Sequence, residues 1–199
     1  MKRFELLIKG CCDFIVCLVL CIILFPLLIG ISAAICLDSK GGPLFFQERL
    51  GKKGRTFKII KFRTMVCNAE KIGDGLIVKD ETDVRITKVG RFLRKTSLDE
   101  LPQIFNILKG DMSLVGPRPP VTYHPYNGYS SYSEFAKQRF EMKPGITGLA
   151  QVRERNSASW DDRIIIDVEY VNKFSIFLDI QILMKTVFSM RYKEEYTKE

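Results

Sequence analysis

The sequence predicts a mostly helical α+β protein, with a membrane-associated segment over residues 1–40 and one small domain over residues 41–199. Three observations predict it. An apolar run without a single charge extends from Phe14 to Leu37. Two short strand-like segments around a Gly-containing turn follow it. Apolar residues at helical spacing then recur toward the C-terminus.

The apolar run comes first. At ~1.5 Å rise per residue, a straight helix of this length crosses the ~30 Å hydrocarbon core. It is too long for a secretory signal, and no clear small-residue cleavage site follows it. Pro26 sits at its middle, where a missing N–H bends a helix. Both flanks are basic: Lys2, Arg3 and Lys9 before, Lys40, Arg49, Lys52, Lys53 and Arg55 after. The positive-inside rule expects one favoured flank. The residues by themselves therefore leave two readings open, a spanning helix and one that turns back at Pro26.

Gly41-Gly42-Pro43 breaks the chain after the anchor. Residues 44–49 and 57–63 read as strands, joined by Gly51-Lys52-Lys53-Gly54 as a hairpin. Strand alternation places Lys61 and Arg63 on one face. Residues 66–84 read as a polar loop. The spacing predicts a helix over 98–108, opened by the Ser97/Glu100 capping pattern and closed by Lys109-Gly110. Pro102 conflicts with its first turn, so the alternative is a helix that becomes regular only from Pro102. Segments 161–172 and 176–190 read as helices. The apolar face of the second is expected in the core, with the membrane interface as the alternative.

Composition narrows the chemistry. Lys and Arg number 31 against 23 Asp and Glu, a net charge of +8. That favours anionic partners, and beside an anchor it favours acidic lipid or phosphorylated ligands. Five of the six cysteines lie in or near the apolar run, without a Cys-x-x-Cys pair, and His124 is the single histidine. Zinc and a disulfide framework are thereby excluded as expectations. Acid, base or nucleophile work falls mainly to carboxylates. The chain carries no Walker A pattern, dinucleotide fingerprint, helix-turn-helix, zinc finger or aromatic RNA-binding motif, so nucleic acid is not expected as a partner.

Asp99 and Glu100 are adjacent in Thr96-Ser97-Leu98-Asp99-Glu100-Leu101-Pro102-Gln103. One carboxylate can attack a phosphoryl group and hold it covalently. Its neighbour can bind Mg²⁺, which neutralises phosphate charge. The competing structural reading has Glu100 close a capping box and Asp99 complement the helix dipole. Arg94 and Lys95 precede the pair, and Arg118 follows in Gly116-Pro117-Arg118-Pro119-Pro120. Prolines there stiffen the backbone and fix where the guanidinium points, and Arg binds phosphate bidentately. Arg85, Lys88, Arg91 and Lys95 are read mostly as solvated or membrane-facing surface. The stretch from Lys143 to Gln151 is a Gly-rich loop able to approach a ligand closely, or simply a turn.

Five blocks occur in one order: Lys61-Phe62-Arg63-Thr64-Met65, Ser97 to Gln103, Asn106 to Ser113, Gly116-Pro117-Arg118-Pro119, and Pro144 to Val152. With the proline-containing anchor they make nearly the whole chain resemble the bacterial sugar transferases, the small monotopic phosphoglycosyl transferases. The resemblance implies a proline-broken re-entrant membrane helix and a small catalytic domain on the cytosolic face of the bacterial inner membrane, with a β-hairpin and interfacial helices. It implies transfer of a sugar 1-phosphate from a UDP-sugar to polyprenyl phosphate, with UMP released. Asp99 is by similarity the nucleophile, and Glu100 its partner; the pair is assigned to Mg²⁺. Lys61, Arg63, Arg94, Arg118 and Arg155 are assigned to phosphate or substrate binding, and Pro26 to the membrane break. Downstream glycosyltransferases are possible partners. Three places depart from the family pattern. Phe25 precedes the anchor proline where Ser is frequent, Gly10 replaces a basic residue, and Arg153-Glu154 replaces Asn-Gly before Arg155-Asn156.

Two other readings compete. One is a non-enzymatic, membrane-tethered basic module that binds anionic lipid or nucleic acid. The other is a one-step phosphotransferase that uses the acidic pair only for metal. No stretch names the sugar.

Overall fold

The computed structural model describes residues 2–69, 72, 83–154 and 159–195. A long helix α1 (Lys2–Asp38) is followed by strands β1 (Leu44–Leu50) and β2 (Thr56–Phe62), then helices α2 (Lys88–Thr96) and α3 (Gln103–Lys109). Strand β3 (Ser113–Val115), helix α4 (Glu134–Lys137) and strand β4 (Gly145–Thr147) precede helices α5 (Leu149–Glu154), α6 (Trp160–Lys173) and α7 (Ile176–Glu195). β1 pairs with β2 and β3 with β4. The mostly helical α+β expectation and the hairpin are both present. The chain forms two compact units: Met1–Leu18, Gln47–Ile59 and Asn106–Glu199 make the first, Val19–Phe46 and Ile60–Phe105 the second.

α1 is long and apolar enough to cross a membrane. Ile22, Ile23, Phe25, Ile29 and Leu37 are among its exposed side chains, which only an apolar surrounding would tolerate on such a scale. Pro26 lies inside the helix and does not end it. A proline removes one backbone hydrogen bond, and a helix can carry that loss as a bend.

In the first unit the parallel pair β3–β4 runs in the register Ser113↔Gly145 and Val115↔Thr147. Val115, Met142, Leu149, Tyr170, Phe174 and Ile182 form one apolar cluster, and Leu50, Tyr132, Ala136, Phe140, Ile164 and Val168 a second. A Cβ on Gly145 would meet the Gly116 backbone nitrogen at 2.1 Å, and one on Gly116 the Lys143 carbonyl at 2.4 Å. These two glycines thus permit a close approach of backbone to backbone. α1 also joins this unit. Lys9 donates to Asp179 of α7 at 2.5 Å, and Ser113 donates to Asp13 at 2.5 Å. Tyr170 donates to the other Asp179 oxygen at 2.7 Å. Every member is buried. Breaking such a desolvated network at one partner strands an uncompensated charge, at a cost of about 3–5 kcal/mol.

α7 corrects the expectation of a core helix. Ile182 is buried, but Phe177, Ile180, Met184, Val187 and Phe188 are exposed along the opposite side. Five large apolar residues at 3- and 4-residue spacing make an uncovered stripe.

In the second unit, Leu28, Ile31 and Ile35 of α1 pack with Phe62 and Leu93, flanked by Val89, Leu98 and Leu101. Thr64, just past the end of β2, contacts the start of α2. Its carbonyl accepts from Thr87 N at 3.0 Å, and Gly90 lies so close that a Cβ would meet that carbonyl oxygen at 2.1 Å. Arg85, expected on the surface, is instead buried. It pairs with Asp83 at 2.6 Å and donates to the carbonyls of Ala69 and Ile72 at 3.1 Å each. The rest of the predicted 66–84 loop lies largely outside the described residues. Lys88, Arg91 and Lys95 are exposed, as expected.

Gly90→Ala should destabilise this unit, because the obstructing atoms are backbone and cannot rotate away. A loss of ~1–3 kcal/mol, read as a lower melting temperature in detergent, is the expected outcome.

Candidate active site

The acidic pair sits where α2 ends. Ser97 takes up the left-handed conformation, φ 58°, and caps α2 with its N–H on the Arg94 carbonyl. The next three residues, Leu98–Glu100, form a single 3-10 turn. α3 becomes regular only from Gln103, after Pro102. The continuous helix over 98–108 is therefore corrected, and the alternative that begins at Pro102 is the one observed. The Ser97 side chain makes no cap hydrogen bond. A left-handed Ser97 cannot present its hydroxyl to the N3 amide, because a cap residue needs extended backbone. The capping reading of Glu100 fails with it.

Glu100 instead accepts from Lys61 Nζ at 2.6 Å, a partly buried ion pair across 39 residues of sequence. Asp99 stands beside this pair. Burial pushes its carboxyl above the ordinary range, and the Glu100 charge adds to that, while Lys61 and Arg94 act in the opposite direction. Arg94 is half-buried and fixed by its Nε–H donating to Thr64 Oγ1 at 2.9 Å. Burial lowers its own affinity for the proton, and Asp99 restores part of it. Two carboxylates and two cations thus converge from β2, α2 and the turn after it. A partly desolvated carboxylate held between cations is a candidate nucleophile for an anionic phosphorus centre. Thr64, which sequence reasoning did not single out, is the residue that orients Arg94. No propensity or charge signal marks it.

Arg63, expected to face substrate with Lys61, does something else. β2 ends at Phe62, so strand alternation no longer governs the next residue. The Arg63 guanidinium wraps the C-terminal end of α1. Nε donates to Gly42 O at 2.7 Å, Nη1 to Lys40 O at 2.8 Å, and Nη2 to Ser39 O at 3.0 Å and Gly41 O at 3.1 Å. A planar fork of donors can serve several carbonyls in the irregular turn that follows α1. Arg118 belongs to the first unit, partly exposed between buried prolines. Arg155 lies outside the described residues. No cluster of three His, Cys, Asp or Glu converges among the described residues. The acidic ligands on offer to a metal at this turn are therefore Asp99 and Glu100.

Comparison with known proteins identifies the family. The profile of the bacterial sugar transferase family matches residues 4–193. The chain is 48% identical over 158 residues to a galactosyl transferase of Streptococcus agalactiae, an alignment with 74% of this chain and 34% of that protein. It is 46% identical over 176 residues to an uncharacterized sugar transferase of Bacillus subtilis, covering 87% of this chain and 80% of that protein. It is 40% identical over 199 residues to the undecaprenyl-phosphate galactose phosphotransferase of Salmonella typhimurium, covering 93% of this chain and 40% of that protein. The chain thus spans well under half of the Streptococcus and Salmonella relatives and most of the Bacillus one. On the family match across nearly its whole length, the chain belongs to the bacterial sugar transferases.

Proposed function

We propose that this protein transfers a sugar 1-phosphate from a UDP-sugar to polyprenyl phosphate in two steps. The observation that carries the proposal is Asp99, a partly buried carboxylate on the turn after α2 that feels the charges of both Lys61 and Arg94. In the first step an Asp99 oxygen attacks the phosphorus that bears the sugar. The bond from that phosphorus to the bridging oxygen breaks, and UMP leaves with the electron pair. In the second step a phosphate oxygen of the lipid attacks the same phosphorus and releases the Asp99 carboxylate. Arg94 balances phosphate charge beside Asp99, and Arg118 is a further phosphate-binding candidate carried by the first unit. Lys61 holds Glu100 in place and keeps Asp99 ionised. Mg²⁺ fits the adjacent Asp99 and Glu100 carboxylates, because this ion needs only one or two protein carboxylates when phosphates and water complete its shell, and it would supply charge neutralisation there. Arg63 holds the turn that follows α1.

α1 is held near each of its ends. Lys9 and Asp13 near its start are buried against β3 and α7 in the first unit. Asp38 at its end accepts from the Val89 N–H at the start of α2 in the second. Each of these contacts lies within its own unit, and the basic flanks on both sides of the anchor favour a re-entrant placement. The cytosolic face of the bacterial inner membrane suits this, since UDP-sugars are cytosolic. The exposed stripe of α7 suits contact with the same interface. The lipid-linked product is a substrate for downstream glycosyltransferases.

The reaction is tested by UMP release with Mg²⁺, polyprenyl phosphate and a panel of UDP-sugars. Asp99→Asn should lose turnover by roughly 10³-fold or more with its melting temperature retained, and no labelled phosphosugar adduct should be trapped on it. Normal turnover in that variant refutes the nucleophile. Turnover without any adduct on the wild type favours a one-step transfer. A basic binding module would instead release no UMP, and its membrane binding would ignore Asp99 and Glu100 while falling steeply with salt.

The pH profile gives a second test. Protonated Asp99 cannot attack, so kcat/KM should fall as pH drops through a pKa above the usual ~3.9 for Asp. Lys61→Met removes a cation that favours the ionised form, and the acid limb should move to higher pH. A limb that stays or moves down contradicts the coupling. For topology, a single cysteine at residue 2 in a cysteine-free background should resist labelling by an impermeant reagent applied from outside intact cells.

A further inference from the structure

The segment Pro117–Pro120 is held at every carbonyl. Pro117 O accepts from Gly145 N at 3.1 Å, Arg118 O from Arg139 Nη2 at 2.8 Å, Pro119 O from Arg49 Nη1 at 3.0 Å, and Pro120 O from Leu50 N at 3.0 Å. Three of these four residues are prolines with fixed φ and no N–H to donate. Two of the four donors are arginine side chains, more strongly bound to carbonyls than neutral donors are. Arg139 is itself fully buried, its Nη2 and Nε donating to Asp167 Oδ2 at 2.5 and 3.1 Å. Its guanidinium lies 5.4 Å from the Phe140 ring centroid and 6.0 Å from that of Trp160. Desolvating an ion pair this completely is costly, and its contact with Arg118 O connects it to the segment. Meanwhile the Arg118 guanidinium makes no hydrogen bond or ion pair among the described residues. The segment is clamped along its backbone and leaves one partly exposed guanidinium that acts on the buried Asp167 only through its charge.

We propose that Arg49 and Arg139, the latter fixed by Asp167, are positioning residues that hold the backbone of Pro117–Pro120 so that Arg118 meets a substrate phosphate already in place. The proposal rests on the sugar-phosphate transfer reading. A side chain presented from a rigid backbone loses less conformational freedom on binding. A displacement of about 1 Å at such a group can cost up to ~100-fold. Neither Arg49 nor Arg139 needs to touch substrate for this effect.

The test is a double-mutant cycle on the full-length protein in detergent. KM and kcat are measured for the UDP-sugar and for polyprenyl phosphate, alongside the Kd for UDP by calorimetry. Arg118→Ala identifies which constant depends on that guanidinium. Arg49→Met should raise the same constant by roughly ten-fold with kcat nearly unchanged, and Arg49→Lys, which keeps a donor, should recover most of the loss. In the Arg118→Ala background, Arg49→Met should add less than about two-fold, since coupled residues are non-additive. Arg139→Met should behave as Arg49→Met does. If it fails to fold, as a buried-pair variant can, the Arg49 series decides. Additive effects, an unchanged constant in Arg49→Met, or an Arg118→Ala variant with every constant unchanged each overturn the proposal. If the wild type releases no UMP, the proposed reaction fails, and the UDP-binding cycle alone then judges the clamp.

Discussion

Thr64 takes part in three contacts at the end of β2. Its carbonyl accepts from the amide that opens α2, its backbone lies against Gly90, and its hydroxyl accepts from Arg94. Only glycine permits so close an approach of helix to strand end. From that contact the remaining geometry of the second unit follows. α2 starts beside Thr64 and runs nine residues to Thr96, and the left-handed Ser97 turns the chain so that Asp99 and Glu100 emerge on a short turn. β2, on the other side of Thr64, presents Lys61 to Glu100. The site's two cations and two carboxylates are thus assembled by one backbone contact and one left-handed residue.

Charge burial is used in both units to hold backbone, not only to hold ligands. Arg63 collects the carbonyls at the end of α1, Arg85 those of Ala69 and Ile72, and Arg139 that of Arg118. An arginine offers five donors in a planar fork, so it can satisfy several acceptors where the chain has no regular ladder. Among the described residues the named strands pair only as two two-stranded sheets, and much of the backbone between the helices is irregular. Guanidinium groups supply the partners that sheet hydrogen bonds supply in other folds. Several of the basic residues that give the chain its positive charge are therefore structural.

The elements with strong local signals were legible. The apolar run, the hairpin around Gly51 to Gly54, and the helices near 161–172 and 176–190 all stand close to where periodicity and turn chemistry place them. The misreadings share a cause. Glu100 looked like a capping residue because spacing is visible in sequence and the φ of Ser97 is not. Arg63 looked like a partner of Lys61 because alternation was carried one residue past the end of β2. Arg85 looked like surface because charge alone does not reveal an enclosing loop. α7 looked like a core helix because an apolar face has the same spacing whether protein or lipid covers it.

The sequence by itself determined the kind of protein this is: an apolar helix with a basic domain, no metal-ligand cluster of Cys and His, and an Asp-Glu pair set among motifs of one family. These are matters of composition, order and local spacing, which one chain carries without its fold. The tertiary structure decided which charges are free to act. Lys61 with Glu100, Arg94 with Thr64, and Arg139 with Asp167 are joined across 39, 30 and 28 residues. No local rule can specify such distances, because they depend on where helices and strands pack and on which groups that packing removes from water.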